Sequence, residues 1–285
     1  MKSPITIETY GRGQGDLVEL DPDHPGFRDP VYRQRRNEIA AIALRYQSGE
    51  QVPDAPYTPE EHGVWNTIWD ALTPRHTQFV VRELLAAQQN LALDRRRIPQ
   101  LREINARLKG STGYRMEPVA GLVAARAFLA QLGRGVFLST QYIRHTSRPF
   151  YTPEPDVVHE LVGHAATLAH PGFAEVNRLL GEAAIVATPS EMARVESVYW
   201  YTMEFGTALQ DGEVCAVGAG LLSSVAELEQ MRQVPVLKEW DLTTIASTSY
   251  DPTDFQPILF VAPSFEQMLL DVAQWVMAGR WRDAR

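Results

Sequence analysis

The chain has 285 residues, with 27 Lys and Arg against 35 Asp and Glu for a net charge of −8, and 45% of its residues are hydrophobic. This is globular composition. Acidity without a long basic run argues against general nucleic-acid binding, and no apolar run approaches the ~20 residues of a membrane span. The polar start Met1–Pro4 is no signal peptide, and the single Cys215 excludes an internal disulfide and a thiolate metal site. What remains is a soluble, cytoplasmic protein of one large domain or two small ones, in which any metal is held by histidine and carboxylate.

In chain order, Gly11–Asp16 (Gly-Arg-Gly-Gln-Gly-Asp) has the glycines of a phosphate loop. It lacks a convincing strand before it, and turn chemistry (Asp21-Pro-Asp-His-Pro-Gly26) follows closely, so a flexible surface loop is expected. Val31–Tyr46 carries Ile39, Ile42, Ala43 and Tyr46 at helical spacing and stops at Ser48-Gly49. Thr58-Pro-Glu-Glu61 is a capping box with proline at the first helical position, opening a helix through Trp65, Ile68 and Trp69. A longer helix is predicted over Thr77–Leu93 and another over Ala124–Leu132. Thr188-Pro-Ser-Glu191 caps a helix expected to reach about Leu209, and Ser264-Phe-Glu-Gln267 starts a last one ending near Gly279. Strand-like runs are few: Gly135–Leu138, Val214–Val217 and Ile258–Val261. The expectation is a mostly α fold with a minor β component.

The chemistry concentrates in Tyr151-Thr-Pro-Glu-Pro-Asp-Val-Val-His-Glu-Leu-Val-Gly-His164. Prolines 153 and 155 suit a helix entrance, and Asp156 complements the positive end of the dipole. His159 and His164 are five residues apart, not four as in the zinc-protease motif. On an ideal helix they diverge by roughly 140°. They can share a metal only if the helix is distorted, and Gly163 eases such an adjustment. Glu204, in Tyr199-Trp-Tyr-Thr-Met-Glu-Phe-Gly206, is the candidate third ligand, because a glutamate among aromatic and apolar neighbours is costly to bury unless paired or bound to a cation. Taken singly, each histidine reads more readily as a core group hydrogen-bonded to backbone, and Glu204 as the partner of an arginine. Together they form a two-histidine, one-carboxylate set, which leaves positions open on Fe(II).

With these motifs in order, the sequence resembles the catalytic domain of the tetrahydropterin-dependent aromatic amino acid hydroxylases, over about Glu19 to Gly279. Further matching segments are Leu20–Tyr32, Pro118-Val-Ala-Gly-Leu122, Thr140-Gln-Tyr-Ile-Arg-His145 and Gly218-Ala-Gly-Leu-Leu-Ser-Ser224. The resemblance implies a single catalytic domain, residues 1–285, with a flexible N-terminal arm or lid over 1–25 and a central metal pocket. It implies that His159, His164 and Glu204 hold Fe(II), with a tetrahydropterin and O₂ as co-substrates. It further implies that Arg144 grips the amino acid carboxylate, that Asp156 orients Arg144, and that Thr152 contacts the same end. Trp200 and Pro155 would line the ring slot, and Ser223, grouped with the substrate side, would fix the orientation of the first histidine. On the pterin side, Phe128 would stack on the bicyclic ring, with Gly121, Leu122, Val123 and Ala125 as the adjoining wall and Tyr199 closing the pocket. Glu160 would face pterin and iron-bound water as the catalytic residue.

Departures from the family pattern are also visible. Ala125 stands where relatives often have serine, and Asp16 where some carry a tyrosine on a mobile lid. Neither a regulatory module nor a tetramerising extension is recognisable, so a monomer is expected, with no nucleic-acid or membrane partner. Trp200 is of the phenylalanine and tyrosine hydroxylase type. Pro252 replaces an aspartate of tyrosine-preferring relatives, although Asp251 is adjacent. Phenylalanine, attacked at the para position, is the expected substrate. Meta attack, or action on tyrosine or tryptophan, is the alternative. Remoter alternatives are a zinc hydrolase using His159, Glu160 and His164, and a binding protein without turnover.

Overall fold

The computed structural model describes residues 17–18, 20–252 and 255–283, so the Gly11–Asp16 loop lies outside the described residues. Asp29 opens α1 (Pro30–Arg45) by accepting from the backbone N–H groups of Val31 and Tyr32. Thr58 and Glu61 close the expected reciprocal capping box on α2 (Pro59–Phe79). There follow α3 (Arg82–Leu91), α4 (Leu101–Ser111), β1 (Arg115–Pro118), α5 (Ala125–Leu132) and β2 (Val136–Ser139). A π-helical turn, His159–Ala165, runs directly into α6 (Ala166–Leu168). His170 then caps α7 (Pro171–Val186), its Nδ1 accepting from Phe173 N–H, so the His-Pro-Gly sequence ends one helix and starts the next. After α8 (Pro189–Tyr199), capped by Thr188 and Glu191, comes a second π-helical turn, Trp200–Glu204. The chain continues through β3 (Thr207–Gln210), β4 (Glu213–Ala216), α9 (Ala219–Leu222), α10 (Val225–Gln230), β5 (Val236–Glu239), α11 (Leu242–Ser247), β6 (Ile258–Ala262) and α12 (Phe265–Met277). The fold is mostly α with minor β, as expected.

Two helix boundaries differ from the sequence reading. The helix opened at Thr58 runs on through Pro74 to Phe79, burying Leu72 and His76, and so takes in the expected start of the next helix at Thr77. The break falls instead at the β-branched pair Val80-Val81, where Val81 N–H donates to Ala216 O at 3.2 Å, so the expected Thr77–Leu93 helix is two segments. The helix expected to reach Leu209 stops at Tyr199 and widens into the π-turn. Beyond it Thr207–Gln210 pairs as a strand with β4 and β6, so tertiary pairing overrides the helical pattern there.

The described strands form two sheets. β1 and β2 pair in parallel, while the other four follow the order β4-β3-β6-β5. Between β3 and β4, Asp211 and Gly212 both take positive φ (53° and 83°), as a two-residue hairpin turn demands. A large hydrophobic cluster joins Trp65, Ile68 and Leu72 of α2 to Leu161 and Val162 of the first π-turn and Leu221 of α9. The metal-binding candidates are thus anchored in the best-packed part of the chain.

Candidate metal centre and substrate pocket

The five-residue spacing of the histidines is accommodated by the π-turn. In this geometry N–H groups bond five residues back rather than four, which widens the turn and returns His164 toward the side of His159. Their Nε2 atoms lie 2.9 Å apart. The second π-turn, closed by Phe205 N–H to Trp200 O at 2.8 Å, delivers Glu204, whose Oε1 is 3.0 Å from His164 Nε2 and Oε2 3.7 Å from His159 Nε2. Gly163 contributes by close approach: a Cβ there would fall 2.5 Å from Ala219 O, so its absence lets α9 pack on the π-turn. That contact brings Ser223 to the site. Its hydroxyl donates to Ala219 O at 2.9 Å and lies 3.0 Å from His159 Nδ1. With the single hydroxyl proton so used, the oxygen accepts from Nδ1–H, and the Nε2 lone pair of His159 faces the centre.

The electrostatics suit a cation. Burial alone would raise the Glu204 pKa, but His164 and His159 outweigh it and hold the carboxyl at about 2. Burial, reinforced by His164, pushes His159 down to about 4. Burial works against the charged form of His164 too, yet Glu204 beside it raises that pKa above the usual histidine value. Glu160, adjacent in sequence, is not in the triad. Its Oε1 accepts from the N–H and hydroxyl of Thr140 at 3.1 and 3.0 Å, and burial lifts it to about 7.

Beside the triad, Arg144 and Asp156 form a buried pair. The guanidinium donates through Nε (2.8 Å) and Nη2 (2.7 Å), and the Arg144 backbone N–H donates to Asp156 at 2.8 Å. Asp156 also accepts from His159 N–H at 3.3 Å, capping the helix that carries the ligands. Thr152 donates to Glu154 O at 2.7 Å, and Pro155 O accepts from the Tyr142 hydroxyl. Trp200 stacks on Tyr250 (ring centroids 4.4 Å, 13°), and its Nε1–H donates to Gln256 Oε1 at 2.8 Å. Phe128 lies edge-to-face with Phe137 at 5.3 Å and with Tyr199 at 5.9 Å. Gly121 and Val123 are half-buried, while Leu122 and Ala125 are exposed. The Tyr199 hydroxyl is buried beside Glu204, without a hydrogen bond of good geometry.

A family model described as biopterin-dependent aromatic amino acid hydroxylase matches residues 14–280. The chain belongs to this family. Phenylalanine-4-hydroxylase of Caenorhabditis elegans is 42% identical over 263 residues, 90% of this chain and 58% of that protein. Tyrosine 3-monooxygenase of Mus musculus is 44% identical over 252 residues, 87% of this chain and 51% of that protein. The chain therefore spans about half the length of the curated relatives it matches. A solved structure of Chromobacterium violaceum phenylalanine hydroxylase, with bound iron(III) and 7,8-dihydrobiopterin, aligns with a TM-score of 0.74 at 27% identity, covering 84% of this chain and 91% of that one.

The residues present fit the iron of the hydroxylase family. Two imidazole Nε2 atoms 2.9 Å apart cannot both present lone pairs to each other without a proton or a cation between them, and the Glu204 carboxylate completes the set. Among the described residues this is the one cluster of three or more such groups with ligand atoms within 4.8 Å of one another. The sequence reading did not give roles to Phe137, whose ring lies 4.5 Å from that of His164, to Thr140, or to Gln256. Thr140 sits inside a recognised hydroxylase motif, which was the one available signal. Phe137 and Gln256 act through tertiary contacts alone.

Proposed function

We propose that the protein is a non-haem Fe(II), tetrahydropterin-dependent monooxygenase that hydroxylates phenylalanine at the para position to give tyrosine, working as a cytoplasmic monomer. The observation that carries this reading is the convergence of His159, His164 and Glu204 on one point, 3.0 Å from carboxylate to imidazole, in a chain of the hydroxylase family. When bound, iron and reduced pterin supply the reductive activation of O₂ that ring hydroxylation requires.

Arg144 is engaged by Asp156 through Nε and Nη2, which leaves Nη1 to meet the substrate carboxylate. Thr152, its proton committed to Glu154 O, offers oxygen lone pairs to the substrate ammonium. Trp200 and Pro155 border the ring slot, and Ser223 holds the tautomer of His159. Phe128 stacks on the pterin against the wall of Gly121, Leu122, Val123 and Ala125, with Tyr199 behind. Glu160, tied through Oε1 and poised near neutrality, takes up and releases a proton at Oε2. Phenylalanine is favoured over tyrosine because Pro252 offers a ring hydroxyl no charge and no hydrogen bond.

The test is anaerobic reconstitution with Fe(II), followed by tetrahydropterin, O₂ and each of the three aromatic amino acids, with separation of the products. Para-tyrosine from phenylalanine is expected. Meta-tyrosine would overturn the regiochemistry alone, and turnover of tyrosine or tryptophan in preference would overturn the substrate. No hydroxylated product from any of the three would overturn the hydroxylase reading.

A further inference from the structure

One buried histidine takes no part in the proposed reaction. His76, in the last turn of α2, is 2% exposed among Trp65, Trp69 and Leu72. Its Nε2 lies 2.7 Å from Leu222 O, its Nδ1 3.3 Å from the Gln88 side-chain oxygen on α3, and its ring edge-to-face with Trp69 at 6.0 Å. A carbonyl only accepts, so Nε2 carries the proton; Nδ1 can then only accept, and the Gln88 amide, whose buried nitrogen otherwise has no partner, must turn its NH₂ toward it. Leu222 ends α9, and among the described residues no backbone N–H outside α9 donates to its carbonyl. Helix ends leave such acceptors to be met by side chains, and here the side chain comes from a different layer of the fold. Burial pushes the His76 pKa below 6.5, so the ring is neutral and its one N–H is spent on this bond.

The residue after Leu222 is Ser223, whose hydroxyl accepts from His159 Nδ1–H at 3.0 Å. Two hydrogen bonds and one peptide unit therefore join His76 to a metal ligand 83 positions away (159 − 76). An apolar residue would fill the same core space without the desolvation cost of an imidazole, so the geometry points to what the N–H does. We infer that His76 is a positioning residue for His159: by fixing the Leu222 carbonyl it fixes the Ser223 hydroxyl, and with it the tautomer and tilt of the ligating imidazole. This rests on the metal-centre reading above.

The experiment uses Co(II), followed by its visible ligand-field bands, on the full chain without turnover. Glutamine at position 76 places its amide nitrogen near the position of Nε2 and can still reach Leu222 O; asparagine falls short, near Nδ1. His76→Gln is expected to bind Co(II) like the wild type. His76→Asn should lose about 10-fold in affinity and shift the bands, as partners of metal ligands do. Because the effect runs through Ser223, His76→Asn should lose nothing further in a Ser223→Ala background. Equal affinity of the Asn variant and wild type, or fully additive losses in the double variant, would overturn the inference, whatever happens to Tm. A measurement that needs no variant complements this: Zn(II) loading of the wild type should move the His76 Nε2–H proton resonance, and an unmoved resonance also overturns it. Wild-type protein that takes up neither Co(II) nor Zn(II) would overturn the metal centre itself, which distinguishes the two failures.

Discussion

Asp156 receives three hydrogen bonds from Arg144, two from the guanidinium and one from the backbone N–H, and both side chains are buried. The same Oδ1 that meets Nη2 also accepts from His159 N–H. The Arg144 guanidinium, proposed to meet the substrate, and the backbone of His159 are therefore fastened to one carboxylate. Arg144→Lys keeps a charge but loses the fork. Its KM for the amino acid should rise roughly 30-fold, about 2 kcal/mol, with little change in KM for pterin. Steady-state kinetics with each substrate varied would show it, and equal effects on both would remove Arg144 from the amino acid end.

Metal uptake should release protons. His164 has a raised pKa in the metal-free protein because Glu204 lies beside it, yet it must be neutral to ligate. Affinity should therefore climb with pH across the range just above 6.5. Calorimetric titration in two buffers of different ionisation enthalpy should reveal the released proton, and identical heats would contradict it.

The same pair sets a stability window for the metal-free chain. Glu204, held at about 2 against 4.5 unfolded, contributes stability that is complete above pH 4.5 and lost as pH falls toward 2. His164, raised above 6.5, contributes stability complete below 6.5 and lost as pH rises through its folded pKa. The Tm advantage of wild type over Glu204→Gln, both metal-free, should peak between about pH 4.5 and 6.5. A difference that does not vary with pH would show that the pair is not ionised.

Gln256 holds Trp200 in place. Gln256→Leu leaves a half-buried indole N–H without this partner and should cost about 1 kcal/mol of stability. A Trp200 ring free to tilt should also blur the site of attack, raising the proportion of meta product. Chromatography of the tyrosine isomers would check this, and an unchanged ratio would confine Gln256 to a structural role.

Gly163→Ala brings a Cβ to 2.5 Å from Ala219 O, a distance that backbone must relieve. The expected cost is about 1–3 kcal/mol, with weaker metal retention because Ser223 moves with α9. Urea denaturation and metal content together would measure it.

What the sequence made legible was chiefly local. The boxes at Thr58 and Thr188 form as expected because their hydrogen bonds span three residues and need nothing else. The five-residue histidine spacing announced a distorted helix but not its form, since a π-turn depends on what packs against it. Strands β1 (Arg-Met-Glu-Pro) and β5 (Val-Leu-Lys-Glu) were not anticipated, because charged residues and a proline break their apolar runs, unlike the equally short β2; β5 has every residue exposed. Gln256 and His76 were silent for a related reason: their partners, Trp200 and Leu222, lie 56 and 146 positions away.

The π-turn can also be viewed as an α-helix with one residue too many. Substitutions at Leu161 or Val162 leave that surplus untouched, however poorly they pack. Loss of either residue would return the histidines to a four-residue spacing, which an ordinary α-helical turn already places on one face, so the π-turn would relax to α-helix and the segment beyond it would draw in by ~1.5 Å with little rotation. His164 would then present to its surroundings as a zinc-protease histidine does, while Glu204 stayed where β3 and its own π-turn hold it. The five-residue spacing and the π-turn are thus a matched pair, and a single-codon deletion, unlike any substitution, would remove both together.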